Sequence, residues 1–172
     1  MLTFLEKIAD ILGVMASFAA RLVVISVALI LFVQVILRYV FNASLPWPEE
    51  ASRYLMIWAV MLGGSILVKD EQLVCVDFFD KVWSKRLIVY RNLLFRVMLL
   101  IMLAVLFYYG LDQALFAMKR TTTATQISWF WPYLAIPVGA ALMLFQMVVL
   151  TLRDLIRGVP EDQSPSILRA EI

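Results

Sequence analysis

The sequence predicts an all-α integral membrane protein. It has four transmembrane helices, cytoplasmic N- and C-termini, and a short amphipathic interfacial helix between spans 2 and 3. Three observations predict this. Of the 172 residues, 63% are hydrophobic and only 16% charged; soluble domains hold about 45–50% apolar and about 25% charged residues, so lipid must be part of the solvent. The apolar residues fall in four long windows. The basic residues are divided unequally between the two sides those windows define.

The first span covers residues 11–40. Arg21 and Arg38 are 17 residues apart, about 26 Å along a helix and close to one bilayer core. Residues 11–20 then project beyond that core or lie in the interface. This start resembles a secretory leader, but sixteen uncharged residues follow Arg21, which reads as one long uncleaved helix.

The second span covers 51–68. Pro46, Trp47 and Pro48 precede it, and Glu49 and Glu50 complement the positive end of the helix. Arg53 stands four residues after Glu49 and three after Glu50, so an intrahelical ion pair is expected. The third span covers 87–111 and the fourth 129–152, where Pro137 predicts a kink. The uncharged windows Tyr54–Val68 and Val97–Leu111 hold only 15 residues each, so Arg53 and Arg96 must snorkel to an interface.

Between spans 2 and 3, Phe78, Phe79, Val82 and Trp83 share one face of segment 77–86, opposite Asp77, Asp80, Lys81, Ser84 and Lys85. That pattern fits a helix lying in the membrane surface, with Trp83, Lys81, Lys85, Arg86 and Arg91 meeting anionic phospholipid. Residues 1–157 thus form one four-helix membrane domain, and 158–172 a polar cytoplasmic tail.

Eleven basic residues fall on the side of the termini and the second connection, and four on the other. The positive-inside rule places the eleven in the cytoplasm. A net charge of +2 gives no reason to expect nucleic acid. The chain has no histidine and a single cysteine, Cys75. This argues against haem ligation by imidazole, and it leaves an intrachain disulfide without a second thiol.

The span interiors hold few polar groups. Gln34 and Gln146 are expected to bond between helices, and Ser26 and Ser65 to bond within their own. Small residues recur four apart at Gly13/Ser17, Ala16/Ala20, Ala59/Gly63 and Ala135/Gly139, as close helix packing in lipid requires. Trp58 beside Gly63 and Gly64 suits a face packed on protein. No carboxylate lies within a span, which disfavours an autonomous exporter; a membrane enzyme lacks a convergent polar site. A four-span membrane adaptor or assembly factor stays open at this point.

Leu45-Pro-Trp-Pro-Glu-Glu50, the following Arg53-Tyr-Leu, Met61-Leu-Gly-Gly64 and Val76-Asp77 resemble the small membrane subunit of tripartite ATP-independent periplasmic (TRAP) transporters, the DctQ-like family. Trp131-Pro-Tyr-Leu-Ala-Ile-Pro-Val-Gly139 is similar to that family's fourth span. Gln72-Leu73 departs from the Glu-His common there, and Pro48 from a common Ser. The resemblance implies a scaffold in a bacterial inner membrane, without catalytic residues or a cofactor of its own. It packs beside a large elevator-type subunit that holds sodium and the substrate, and it helps dock a periplasmic protein delivering an organic acid. By position it implies that Glu49, Glu50 and Arg53 lie at the periplasmic corner; Lys119 and Arg120, on the same outer side, join them as candidates for docking the periplasmic protein. It likewise implies that Gly63 and Gly64 lie on a helix–helix face; with Trp58, Ala59, Ala135 and Gly139 from the small-residue pattern they are the candidates for packing on the large subunit.

Overall fold

The computed structural model describes residues 2–43, 45–69 and 85–157. Four helices make up the fold: α1 Leu2–Val40, α2 Trp47–Lys69, α3 Lys85–Phe116 and α4 Phe130–Arg157. All four are long and apolar enough to cross a membrane. Helices satisfy every backbone group internally, which is the condition for spanning lipid.

Each helix is longer than the window the sequence suggests. Charged residues bounded those windows, but charge does not end a helix; backbone geometry does. α1 stops where Asn42 takes a left-handed conformation (φ 49°) and the Ala43 N–H returns to the Leu37 carbonyl at 3.0 Å. Asparagine tolerates that geometry better than most residues. α2 begins at Trp47, not 51, because Pro48 and two glutamates suit a first helical turn. α3 runs from Lys85, so Lys85 and Arg86 lie in this helix. The rest of the expected interfacial segment, with Lys81 and Trp83, lies outside the described residues, as does the tail 158–172.

At the start of α4, the Ser128 hydroxyl accepts the Phe130 N–H at 3.2 Å, capping the helix. Pro137 lies inside α4, which continues through it. Gly110 of α3 receives this segment: a Cβ there would meet Ile136 Cγ2 at 2.9 Å and the Pro137 ring at 3.3 Å.

The helices stand in the order α1, α2, α4, α3. Among the described residues the α3 backbone packs against α4 and against no other spanning helix. α4 is the most enclosed of the four. One core cluster joins Val68 of α2, Leu103 of α3, and Met143 and Met147 of α4. A second joins Ala16 and Ala20 of α1 to Leu62 of α2, flanked by Trp58 and Leu142. Apolar side chains on the outer faces of α1 and α3 stay exposed, among them Phe18, Phe32, Leu94 and Ile101.

Candidate functional site

One end of the molecule carries the α1–α2 turn and the connection between α3 and α4. There Glu49 and Glu50 point to different neighbours, as adjacent helical residues must. Gln34 Nε2 of α1 donates to Glu49 Oε1 at 3.1 Å. Glu50 Oε2 accepts the backbone N–H groups of Ala124 and Thr125, each at 2.9 Å. Glu50 Oε1 accepts the Tyr54 hydroxyl at 2.6 Å. An ionised carboxylate is acceptor-only, and here both oxygens are used.

The connection that Glu50 grips is built to be gripped. A short 3₁₀ turn, Ala117–Lys119, follows α3. A small antiparallel hairpin comes next, pairing Thr121 with Ser128. The Thr122 N–H donates to the Ile127 carbonyl at 2.9 Å, and the Thr122 and Thr125 hydroxyls bond each other at 2.7 Å. Gln126 turns the tip with φ 54°. Tyr54 meets Trp129 edge-on, centroids 5.5 Å apart, so ring contact reinforces the carboxylate bonds.

The expected Arg53 pair with Glu49 or Glu50 is not formed among the described residues. Glu49 takes its partner from α1, Glu50 takes its partners from the α3–α4 connection and from Tyr54 of its own helix, and Arg53 is exposed. Lys119 and Arg120 are exposed as well. The Arg120 guanidinium lies 5.0 Å above the Phe116 ring. It edges a cavity of about 220 Å³ lined by Gln113, Phe116, Ala117, Trp129 and Tyr133. Of the five docking candidates, Glu49, Arg53, Lys119 and Arg120 are exposed, Arg120 lying over Phe116, while Glu50 is committed to the hairpin.

The six packing candidates divide similarly. Ala135 is fully buried. A Cβ on Gly139 would lie 2.5 Å from Met61 Cβ, and one on Gly64 2.8 Å from Met143 Cε. These three small residues therefore form the seam between α2 and α4 within the chain. Trp58 Nε1 braces the same seam by donating to the Trp131 carbonyl at 3.3 Å. Ala59 is half-buried, and Gly63 has nothing within 4 Å of a would-be Cβ.

Deep in that seam, the Ser65 hydroxyl donates to Gln146 Oε1 at 3.0 Å. Ser65 thus bonds to α4 and not to its own helix; Ser26 does keep to its own, donating to the Leu22 carbonyl. Gln146 Nε2 is buried without a partner among the described residues. Both intramembrane glutamines make the interhelical bonds the sequence suggests.

The opposite end is tied by charges that sequence reasoning missed. Lys69 Nζ lies 3.1 Å from Asp10 Oδ1. The nearly buried Asp154 binds Arg96 of α3 and Arg153 of its own helix. An isolated acid beside Arg153 at the end of an apolar helix was the available signal. Arg91 is half-buried in α3. Among the described residues no three His, Cys, Asp or Glu side chains cluster as a metal site would need.

Comparison with known proteins accounts for this architecture. The chain is 27% identical over 119 residues to the sialic acid TRAP transporter permease protein SiaT of Haemophilus influenzae, covering 69% of this chain and 19% of that protein. It is 41% identical over 49 residues to a putative TRAP transporter small permease protein of the same species, 28% of this chain and 30% of that one. It is 26% identical over 160 residues to the isethionate TRAP transporter permease protein DctMQ of Oleidesulfovibrio alaskensis, 84% of this chain and 25% of that one. The chain thus spans less than a third of the length of each of these relatives. Residues 27–157 match the family model for the DctQ component of tripartite ATP-independent periplasmic transporters. The chain belongs to that DctQ family, as a multi-pass protein of the bacterial inner membrane.

Proposed function

We propose that this chain is the small membrane subunit of a sodium-coupled TRAP transporter for an organic acid. It scaffolds a larger elevator-type permease subunit and helps dock a periplasmic substrate-binding protein. The family match over residues 27–157 carries the reading. Two of the relatives are permeases several times longer, in which this chain matches about a fifth to a quarter. That proportion supports a larger permease portion working beside the region this chain matches.

The physical layout supports a scaffold. No Asp or Glu lies in the middle of any span, whereas coupled transport needs polar sites near the midplane. Sodium and substrate therefore belong to the large subunit. In this reading the hairpin end is periplasmic and the end with Lys69, Arg96 and Asp154 is cytoplasmic, as the basic-residue bias requires. Glu49, Arg53 and Lys119 offer exposed charges to the binding protein, while Glu50 holds the hairpin as a firm surface beside them. Ala59 and Gly63 remain open for helix packing, and basic residues of segment 81–91 rest on anionic phospholipid. The chain contributes area and anchoring, with no catalysis or cofactor of its own.

The test is sodium-driven uptake in vesicles containing this chain, the large subunit, or both, with the binding protein supplied. Uptake is expected only with both membrane chains present. Full uptake by this chain alone would refute the proposal.

A further inference from the structure

Arg21 is the only charged residue of α1 between Asp10 and Arg38. It is exposed and has no ion-pair partner among the described residues. Val14, Phe18, Arg21 and Ile25 follow one another at helical spacing and are all exposed, so the guanidinium stands alone on an apolar stripe. Two ties fix its level against α2. Gln34 meets Glu49 at one end and Asp10 meets Lys69 at the other; between them Ala20 packs in the cluster around Leu62. Arg21 therefore lies far inside both ends of the α1–α2 pair.

The lengths create a conflict. From Asp10 to Arg38 the helix runs about 42 Å, against a hydrocarbon core about 30 Å thick. Setting the core against Arg38 brings Arg21 to the far boundary. It then leaves Ile11, Val14, Met15 and Phe18, each 59–65% exposed, among headgroups and water. Drawing those residues into the core instead needs a tilt of about 45°, steeper than the roughly 0–40° that spanning helices show. It also carries Arg21 about 12 Å inside the hydrocarbon, where a lone charge is expensive.

One cover resolves both difficulties. We infer that the N-terminal half of α1 docks, through Arg21 and its apolar stripe, on a membrane helix of the larger subunit that presents an Asp or Glu at that depth. This rests on the small-subunit reading above. A second copy of this chain lacks the required group, because every Asp and Glu lies outside 11–37, 51–69, 87–111 and 113–153. The matched family region begins at residue 27, so the arginine lies outside it.

The experiment uses the full chain, tagged and co-expressed with its large subunit. Arg21→Leu and Arg21→Glu are expected to recover roughly tenfold less large subunit than the parent chain, because each leaves the partner's carboxylate unpaired in lipid. Arg21→Lys keeps the charge, and its loss is expected to stay within about threefold. A photoreactive benzoylphenylalanine replacing Phe18 is expected to cross-link to the large subunit. Arg21→Leu, purified alone, is expected to unfold no earlier than the parent chain. Undiminished recovery with Arg21→Leu overturns the inference, as does cross-linking only to lipid or to the 70–84 connection of the same chain. Those results leave the small-subunit reading standing. Failure of the parent chain to recover any large subunit overturns both.

Discussion

Gly139 is the position where one methyl group should do the most damage. A Cβ there would lie 2.5 Å from Met61 Cβ and 3.2 Å from Met61 Cα. That is about 1 Å short of ordinary contact, and neither atom can swing away because both are held by the α2 backbone. Gly139→Ala must therefore push α2 and α4 apart. Overpacking of this kind costs about 1–3 kcal/mol. The same shift stretches the Ser65–Gln146 bond, now 3.0 Å, and an interhelical bond in a membrane contributes about 0.6–1.7 kcal/mol. The expected loss is about 2–4 kcal/mol. Gly63→Ala is the control, since its Cβ meets nothing within 4 Å; it should change stability by no more than about 1 kcal/mol, and towards greater stability, because alanine favours the helix. Gly64→Ala should fall between them, because it meets only the flexible end of Met143. The assay is unfolding of the purified chain by SDS in mixed micelles, followed by helical circular dichroism. Equal midpoints for Gly139→Ala and Gly63→Ala would refute the seam.

Three further outcomes follow from the polar ties. Glu50→Ala should free the hairpin, with amide hydrogen exchange over 120–129 roughly tenfold faster; Glu50→Gln should be milder, since its remaining oxygen can accept both N–H groups while its amide faces Tyr54. Asp154→Ala removes a buried carboxylate that both Arg96 and Arg153 bind and should cost about 1.5–3 kcal/mol in the same SDS assay. Ser65→Ala should cost about 0.6–1.7 kcal/mol, whereas Gln146→Met should cost less or stabilise, because it also removes the unpartnered Nε2; the order of the two midpoints decides.

The sequence made the helix count and the Pro-Trp-Pro-Glu-Glu corner plain, because long apolar windows and helix-start chemistry are local properties. Gln34 and Gln146 were legible for a related reason: an amide in lipid needs a partner, and a neighbouring helix is the nearest source. The partners of Glu50 were not legible. They are backbone N–H groups of Ala124 and Thr125, and a backbone donor leaves no mark in the residue alphabet. Nor was it legible that Gly64, Ala135 and Gly139 face inward. In lipid the inner and outer faces of a helix are both apolar, so periodicity does not tell a seam within the chain from a surface offered to another. The ends of α1 and α3 differ from the sequence windows because charge does not terminate a helix: Lys7 and Asp10 continue α1, and Arg86 and Asp112 continue α3.

The order α1, α2, α4, α3 has a consequence for biogenesis. Each outer helix is also the sequence neighbour of the inner helix it packs on, so the chain is two helical hairpins laid side by side. The first can form as soon as α2 leaves the ribosome and enters the membrane. The second forms around Gly110 and Pro137 once α4 follows. The α2–α4 seam is the main joint between the two hairpins, with a lesser one between α1 and α4, and it cannot close until both are inserted. A lesion at Gly139 or Ser65 would therefore strand two finished halves in the bilayer, open to membrane proteases, where a lesion within either hairpin would fail earlier and more locally.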